Sequence, residues 1–127
     1  MAKILNIVET AYRATLEEQD DTVLWLTHML KNSGADAAVL LQGNAVNYLA
    51  RGQDASGLAF GQLRMVRGPE LDRDLEKMID KGIPVFAIEE DIIDRGLAEF
   101  DLISGFQRIS RRSMPELLDR HDQVWRW

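Results

Sequence analysis

Four carboxylates stand where this chain could do chemistry: Glu9, just after an apolar run, and the consecutive Glu89, Glu90 and Asp91 after another. Hard oxygen ligands of this kind suit Mg²⁺, which would support metal-assisted hydrolysis or a receiver-like phosphoryl site. The same acids in a first helical turn stabilise the helix dipole and cap free N–H groups, and that structural role weighs more here. A receiver would also want an aspartate closing a central strand, where this chain has Leu41-Gln42. His28 stands among Trp25, Met29 and Leu24, and His121 lies beside Arg120 and Asp122; neither has an obvious nucleophile or metal partner. Arg108, Arg111 and Arg112 form a basic group read first as charged surface. No G-x-G-x-x-G and no G-x-x-x-x-G-K-[ST] occurs, so neither a dinucleotide fingerprint nor a phosphate loop is supported.

The chain has no cysteine. A thiolate is the nucleophile of sulfur relay and disulfide exchange and the soft ligand of zinc and iron–sulfur sites. Methionine has no proton to lose there and forms no persulfide. Those reactions are closed to this chain acting alone. We assign no cofactor and no metal.

The bulk properties suit one domain with one hydrophobic core: 127 residues, 46% hydrophobic and 28% charged. A net charge of −6 argues against nucleic-acid partners, whose binding rests on neutralising phosphates. No apolar stretch approaches the roughly 20 residues that span a bilayer, so no membrane partner is expected. With no disulfide or targeting signal, the cytoplasm is the expected compartment.

The elements that position these groups alternate. Lys3 to Val8 reads as a first strand. Asp20-Asp21-Thr22 supplies N-cap chemistry for a helix to Asn32, with Val23, Leu26 and Leu30 at helical spacing and Ser33-Gly34 as its stop. Ala35 to Leu41 is a second strand, and Asn44 to Arg51 a brief helix with Val46 and Leu49 inward. Gly52 to Gly68 is an apolar, glycine-rich connection that should pack on a neighbour, another subunit included. Gly68-Pro69 opens a helix with proline at its first position, Leu71, Leu75, Met78 and Ile79 on one face, and Gly82 at its end. Ile83 to Ile88 is a buried strand; Glu89 to Arg95 a short helix ended by Gly96; Leu102 to Ile109 contains a fourth strand. Ser113-Met-Pro-Glu116 has capping-box spacing for a last helix, and Val124 to Trp127 makes a final strand. Strands without a wet face imply a mostly parallel sheet of about five strands, covered on both sides: a single three-layer α/β/α domain. Ligands of such sheets bind beyond the carboxyl ends of the strands, which here places Glu9, Tyr12, Arg13, Gln42, Asn44, Ile88, Glu89 and Glu90 around one crevice, with Ser104-Gly105 at a further strand end.

The unit Ile83-Pro-Val-Phe-Ala-Ile-Glu-Glu-Asp-Ile-Ile-Asp-Arg-Gly-Leu97, the closing Asp122-Gln-Val-Trp-Arg-Trp127, and the opening Lys3-Ile-Leu-Asn-Ile-Val8 with Ala35-Asp-Ala-Ala-Val-Leu-Leu41 resemble the DsrE/DsrF/DsrH-like superfamily, which includes the Tus sulfur-relay subunits. The match covers most of the chain in order. The resemblance implies an α/β/α subunit that assembles into trimers or hexamers, some members passing persulfide sulfur. Active subunits carry their cysteine at the strand end, seven residues before the Arg of Arg-Gly. Here Arg95-Gly96 is present and that position is Ile88, an alkyl side chain with nothing to ionise. The resemblance therefore implies a non-catalytic member: a structural subunit or a small-ligand or partner-binding module. Its partners would be further copies of itself or cysteine-bearing paralogues. Three tryptophans and the apolar Gly52 to Gly68 segment also favour oligomerisation.

Overall fold

The computed structural model describes residues 2–12, 21–53, 59–64 and 70–127. Arg13, Asp20, Gly57, Met65, Val66, Gly68 and Pro69 lie outside them. The elements in order are β1 (Lys3–Val8), α1 (Thr22–Asn32), β2 (Asp36–Leu41), a 3-10 helix (Gly43–Leu49), β3 (Ala59–Phe60), β4 (Leu63–Arg64), α2 (Leu71–Asp80), β5 (Val85–Ile88), α3 (Glu89–Asp94), β6 (Gln107–Ile109), a 3-10 turn (Arg111–Ser113), α4 (Met114–Asp119) and β7 (Gln123–Arg126). Five strands form one sheet in the order β6-β5-β2-β1-β7, with every pairing parallel. β3 and β4 pair antiparallel as a separate hairpin.

The central strands carry apolar side chains on both faces because both faces are covered. Val8, Val39, Leu41, Val85 and Ala87 pack under α1, α2, α3 and the first 3-10 helix through Val23, Leu24, Val46, Leu49, Leu71, Leu75, Met78 and Ile92. Leu5, Ile7, Ala38, Leu40, Phe86 and Ile88 face the opposite way and meet Leu117 of α4, with Met114 and Leu118 beside it. The chain thus winds β1, β2, β5, β6 toward one edge with its helices on one face. It then returns across the other face through α4 to lay β7 against β1. This is the three-layer α/β/α domain expected.

Local chemistry sets the boundaries. Asp21 is the N-cap of α1, its Oδ1 accepting from the backbone N–H of Val23 (2.9 Å) and Leu24 (3.1 Å). α1, α2 and α3 each end on a glycine with positive φ: Gly34, Gly82 and Gly96. In α2 the Gly82 N–H bonds the Ile79 carbonyl (2.9 Å) and the Ile83 N–H that of Met78 (3.0 Å), the Schellman pattern, which needs a left-handed residue that a side chain disfavours.

Several expected boundaries differ, three of them for a reason visible in local chemistry. α2 begins at Leu71 with Glu70 as its N-cap, later than a proline start at position 69. The Ser113 capping box is not made: Ser113 already has helical dihedrals (φ −86°, ψ −4°), whereas a capping residue needs extended ones, and its Oγ lies 3.0 Å from Ser110 Oγ. Pro84 stands just outside β5 and contributes its carbonyl to Val39 N–H (3.0 Å), a bond that needs no donor from the proline.

Candidate functional site

At the carboxyl end of β1, the carboxylate of Glu9 takes Arg126 of β7 in two hydrogen bonds, 2.6 and 3.2 Å long. Its Cγ lies so close to Gly43, at the end of β2, that a Cβ there would stand 3.2 Å away. Gln42 precedes that glycine and is held by its backbone, Gln42 N–H to Val8 O at 3.0 Å. The Gly43 N–H donates to Asp91 Oδ2 (2.8 Å), which ties the end of β2 to the helix after β5. Asn44 Oδ1 accepts from Arg95 Nε (3.1 Å), and Arg95 also pairs with Asp91 (3.7 Å).

β5 and β6 are neighbours whose following segments leave to opposite faces of the sheet, α3 on one side and α4 on the other. Between such strands an open α/β sheet leaves its crevice. Here arginines and carboxylates fill it. Arg108 pairs with Glu89 (3.2 Å), and the Arg111 N–H donates to both Glu90 oxygens (3.0 Å each). The Arg111 guanidinium bonds Asp91, which is buried. The basic group is exposed, as expected of charged surface, and two of its members, Arg108 and Arg111, are the counter-charges of the acidic triplet. Among the described residues, no group of three or more histidine, aspartate or glutamate side chains is arranged to hold a metal ion.

Ile88 ends β5 beneath this lattice. It is fully buried, 0% exposed, against the α4 face.

Tyr12 turns away from these strand ends. Its φ is +61°, its N–H donates to Tyr48 Oη (2.7 Å), and its own hydroxyl donates to Gln53 Oε1 (2.6 Å). Burial, and then the negative charge of Asp72, push its phenol above the ordinary tyrosine value of 10. Tyr48 is buried outright. Its hydroxyl donates a hydrogen bond to Asp21 Oδ2 (2.6 Å), and burial, followed by that bond, pushes its phenol well above 10. Arg13, the remaining residue of the expected crevice, lies outside the described residues.

Two cavities among the described residues lie elsewhere. One, about 220 Å³, is lined by Arg51, Gly52, Gln53, Asp72 and Glu76 among others, with Arg51–Glu76 (3.7 Å) and Gly52 N–H to Asp72 (3.0 Å) inside it. The other, about 240 Å³, is a groove between α1 and α2 walled by Leu24, Trp25, His28, Met29, Lys77 and Met78, with Asp74. His28 meets Lys81 Nζ, while His121 Nδ1 contacts the Leu117 carbonyl (2.8 Å) on its own helix. Sequence reasoning missed the Tyr12–Tyr48–Asp21 chain and the groove. The visible signals were an aspartate at an N-cap position and Trp25 one turn before Met29 on a helix whose apolar stripe did not need them.

No family model matches this sequence, and no curated protein does. Solved structures match in fold. The ychN protein from E. coli is 20% identical over 100% of both chains, with a TM-score of 0.73. A conserved protein of unknown function from Bacteroides thetaiotaomicron is 16% identical over 98% of this chain and 95% of its own, with a TM-score of 0.68. A protein of unknown function from Methanobacterium thermoautotrophicum is 16% identical over 100% of both chains, at 0.62. At these identities the likeness is one of fold.

Proposed function

We propose that this chain is a non-catalytic DsrE-like subunit, a structural or small-ligand and partner-binding module associated with sulfur metabolism or sulfur transfer. The observation that carries the reading is Ile88. The strand end that holds the sulfur carrier in the resembled family is here a fully buried hydrocarbon, packed under α4 in a chain with no cysteine. No group at that place can accept or release sulfur.

The strand ends keep a polar rim of Glu9, Gln42, Asn44, Glu89 and Glu90, which would serve recognition of a ligand or partner. The rival reading, a Mg²⁺-dependent enzyme or receiver using the same carboxylates, is disfavoured because each acid already faces an arginine or a backbone N–H. Assembly into a homo-oligomer, or with cysteine-bearing paralogues in the cytoplasm, belongs to the same proposal. Among the described residues, no helix is long and apolar enough to cross a membrane.

The test is incubation with a cysteine desulfurase and labelled cysteine. The chain stays unlabelled on this reading; sulfur stably attached to it overturns the proposal. Calorimetric titration with Mg²⁺ or Mn²⁺ gives no binding heat, and a saturable heat would favour the rival.

A further inference from the structure

Two exposed features of this molecule complement each other and cannot meet within one chain. The first is the groove between α1 and α2. Trp25 is 52% exposed at its wall, with Met29 also exposed and Leu24 and Met78 buried behind. A dry cavity of roughly 150 Å³ lined by apolar side chains admits benzene, and this groove measures about 240 Å³, room for one phenyl ring. One cation lines it, Lys77, exposed and without a carboxylate partner among the described residues, and a second, Lys81, touches the lining residue His28, its Nζ 2.5 Å from His28 Nε2. Among the described residues, Asp74 is the one acid lining it.

The second feature is Phe100, on the loop after α3, 60% exposed and so the most exposed large hydrophobic side chain described. It is bracketed by Glu99 and Asp101. Asp101 is paired with Arg51 (3.3 Å), which leaves Glu99, exposed and without a cation of its own among the described residues. The two features lie on opposite flanks of α2. Asp74 and Lys77 line the groove, whereas Glu76 faces Arg51, the same side chain that holds Asp101.

We propose that the groove is the socket for the Phe100 loop of a second copy of this chain. The phenyl ring enters between Trp25, Met29 and Met78, and Glu99 meets Lys77. An aromatic anchor desolvated in a pocket and bordered by opposite charges is the usual form of an interface hot spot. Because the socket and the plug are different surfaces, the contact is heterologous and repeats from copy to copy, closing into a ring when the rotation permits. The inference rests on the assembly part of the proposed function and names its surface.

Sedimentation and light scattering of the full chain at micromolar concentration, with thermal melts of each variant as a control for folding, test it. The wild type assembles. Phe100→Ala weakens assembly about tenfold or more. Lys77→Glu and Glu99→Lys each weaken it, while the double variant K77E/E99K restores it. Mixing the two single variants restores association, because every contact between unlike copies then pairs opposite charges; only a ring with an odd number of copies keeps one like-charge contact.

A wild type that stays monomeric overturns both this inference and the assembly part of the functional proposal. Assembly that ignores Phe100→Ala and Lys77→Glu, or a double variant that is not restored, overturns the inference alone. The sulfur-labelling result is unaffected by any of these outcomes.

Discussion

Tyr48 and Asp21 form a buried pair in which one carboxylate serves two elements. Oδ2 accepts the Tyr48 hydroxyl at 2.6 Å while Oδ1 caps α1 through Val23 and Leu24. The same Tyr48 oxygen accepts the Tyr12 N–H, so the segment leaving β1, the start of α1 and the first 3-10 helix meet at one hydroxyl.

Tyr48→Phe should therefore destabilise the fold by about 1–3 kcal/mol, because it leaves a buried carboxylate oxygen and a backbone N–H without partners while the ring still fills its space. Urea unfolding at neutral pH measures this, and a change under about 0.5 kcal/mol would show that water replaces the hydroxyl.

Alkaline pH should reveal the same pair. The phenols of Tyr12 and Tyr48, the chain's 2 tyrosines, are both held above 10 in the folded state. A raised folded value contributes stability that is fully present below the unfolded value of about 10 and is lost as pH rises toward the folded one. The native protein should show little tyrosinate absorbance near pH 10, with ionisation accompanying unfolding at higher pH. A normal two-tyrosine titration with the fold intact would contradict this.

Ile88 gives a prediction about reactivity as well as stability. Ile88→Ala should cost about 2–5 kcal/mol by emptying a packed site between Leu40, Phe86 and Leu117. Ile88→Cys should fold, yet its thiol should react with a thiol reagent far more slowly than a cysteine placed at the exposed Ala98. Equal rates would mean that α4 does not seal the strand end.

Asn6 is the one polar side chain buried in β1, and each of its polar atoms has a partner: its amide donates to Thr27 Oγ1 (2.8 Å), and its oxygen accepts from Trp127 Nε1 (3.2 Å). Thr27→Val keeps the shape and removes the acceptor, so it should destabilise by about 1–3 kcal/mol, whereas Thr27→Ser retains the bond and should lose less. Chemical denaturation of the two variants decides; identical losses would assign the effect to the missing methyl alone.

Gly43→Ala tests how closely β1 and β2 approach at their ends. Both Gly43 (φ +56°) and Gly96 (φ +69°) disfavour a side chain, at about 1 kcal/mol, but only at Gly43 does the new Cβ meet Glu9. The Gly43 variant should be the less stable of the two in parallel melts, and Glu9→Ala should bring them together.

Much of this architecture was written in local pattern. Ile4, Leu5, Ile7 and Val8 in β1 and Ala37 to Leu41 in β2 are apolar at adjacent as well as alternate positions, which only a sheet covered on both faces can use. Asp21 stands at a helix start, and Gly34, Gly82 and Gly96 close three helices; each depends on dihedrals and bonds spanning a few residues, so the amino-acid order alone determines them. The missing cysteine, and with it the absence of a sulfur nucleophile, is likewise a property of composition. The pairing of charges is not. Glu9 with Arg126 and Glu90 with Arg111 are separated by long stretches of chain and meet only because β7 returns beside β1 and β6 lies beside β5. For the same reason, whether Glu89 to Asp91 would stand open to a cation or be matched by arginines was decided by strand order. So was the separation of Trp25 and Phe100 onto opposite flanks of one helix, since three-dimensional neighbours are set by how the layers stack rather than by spacing along the chain.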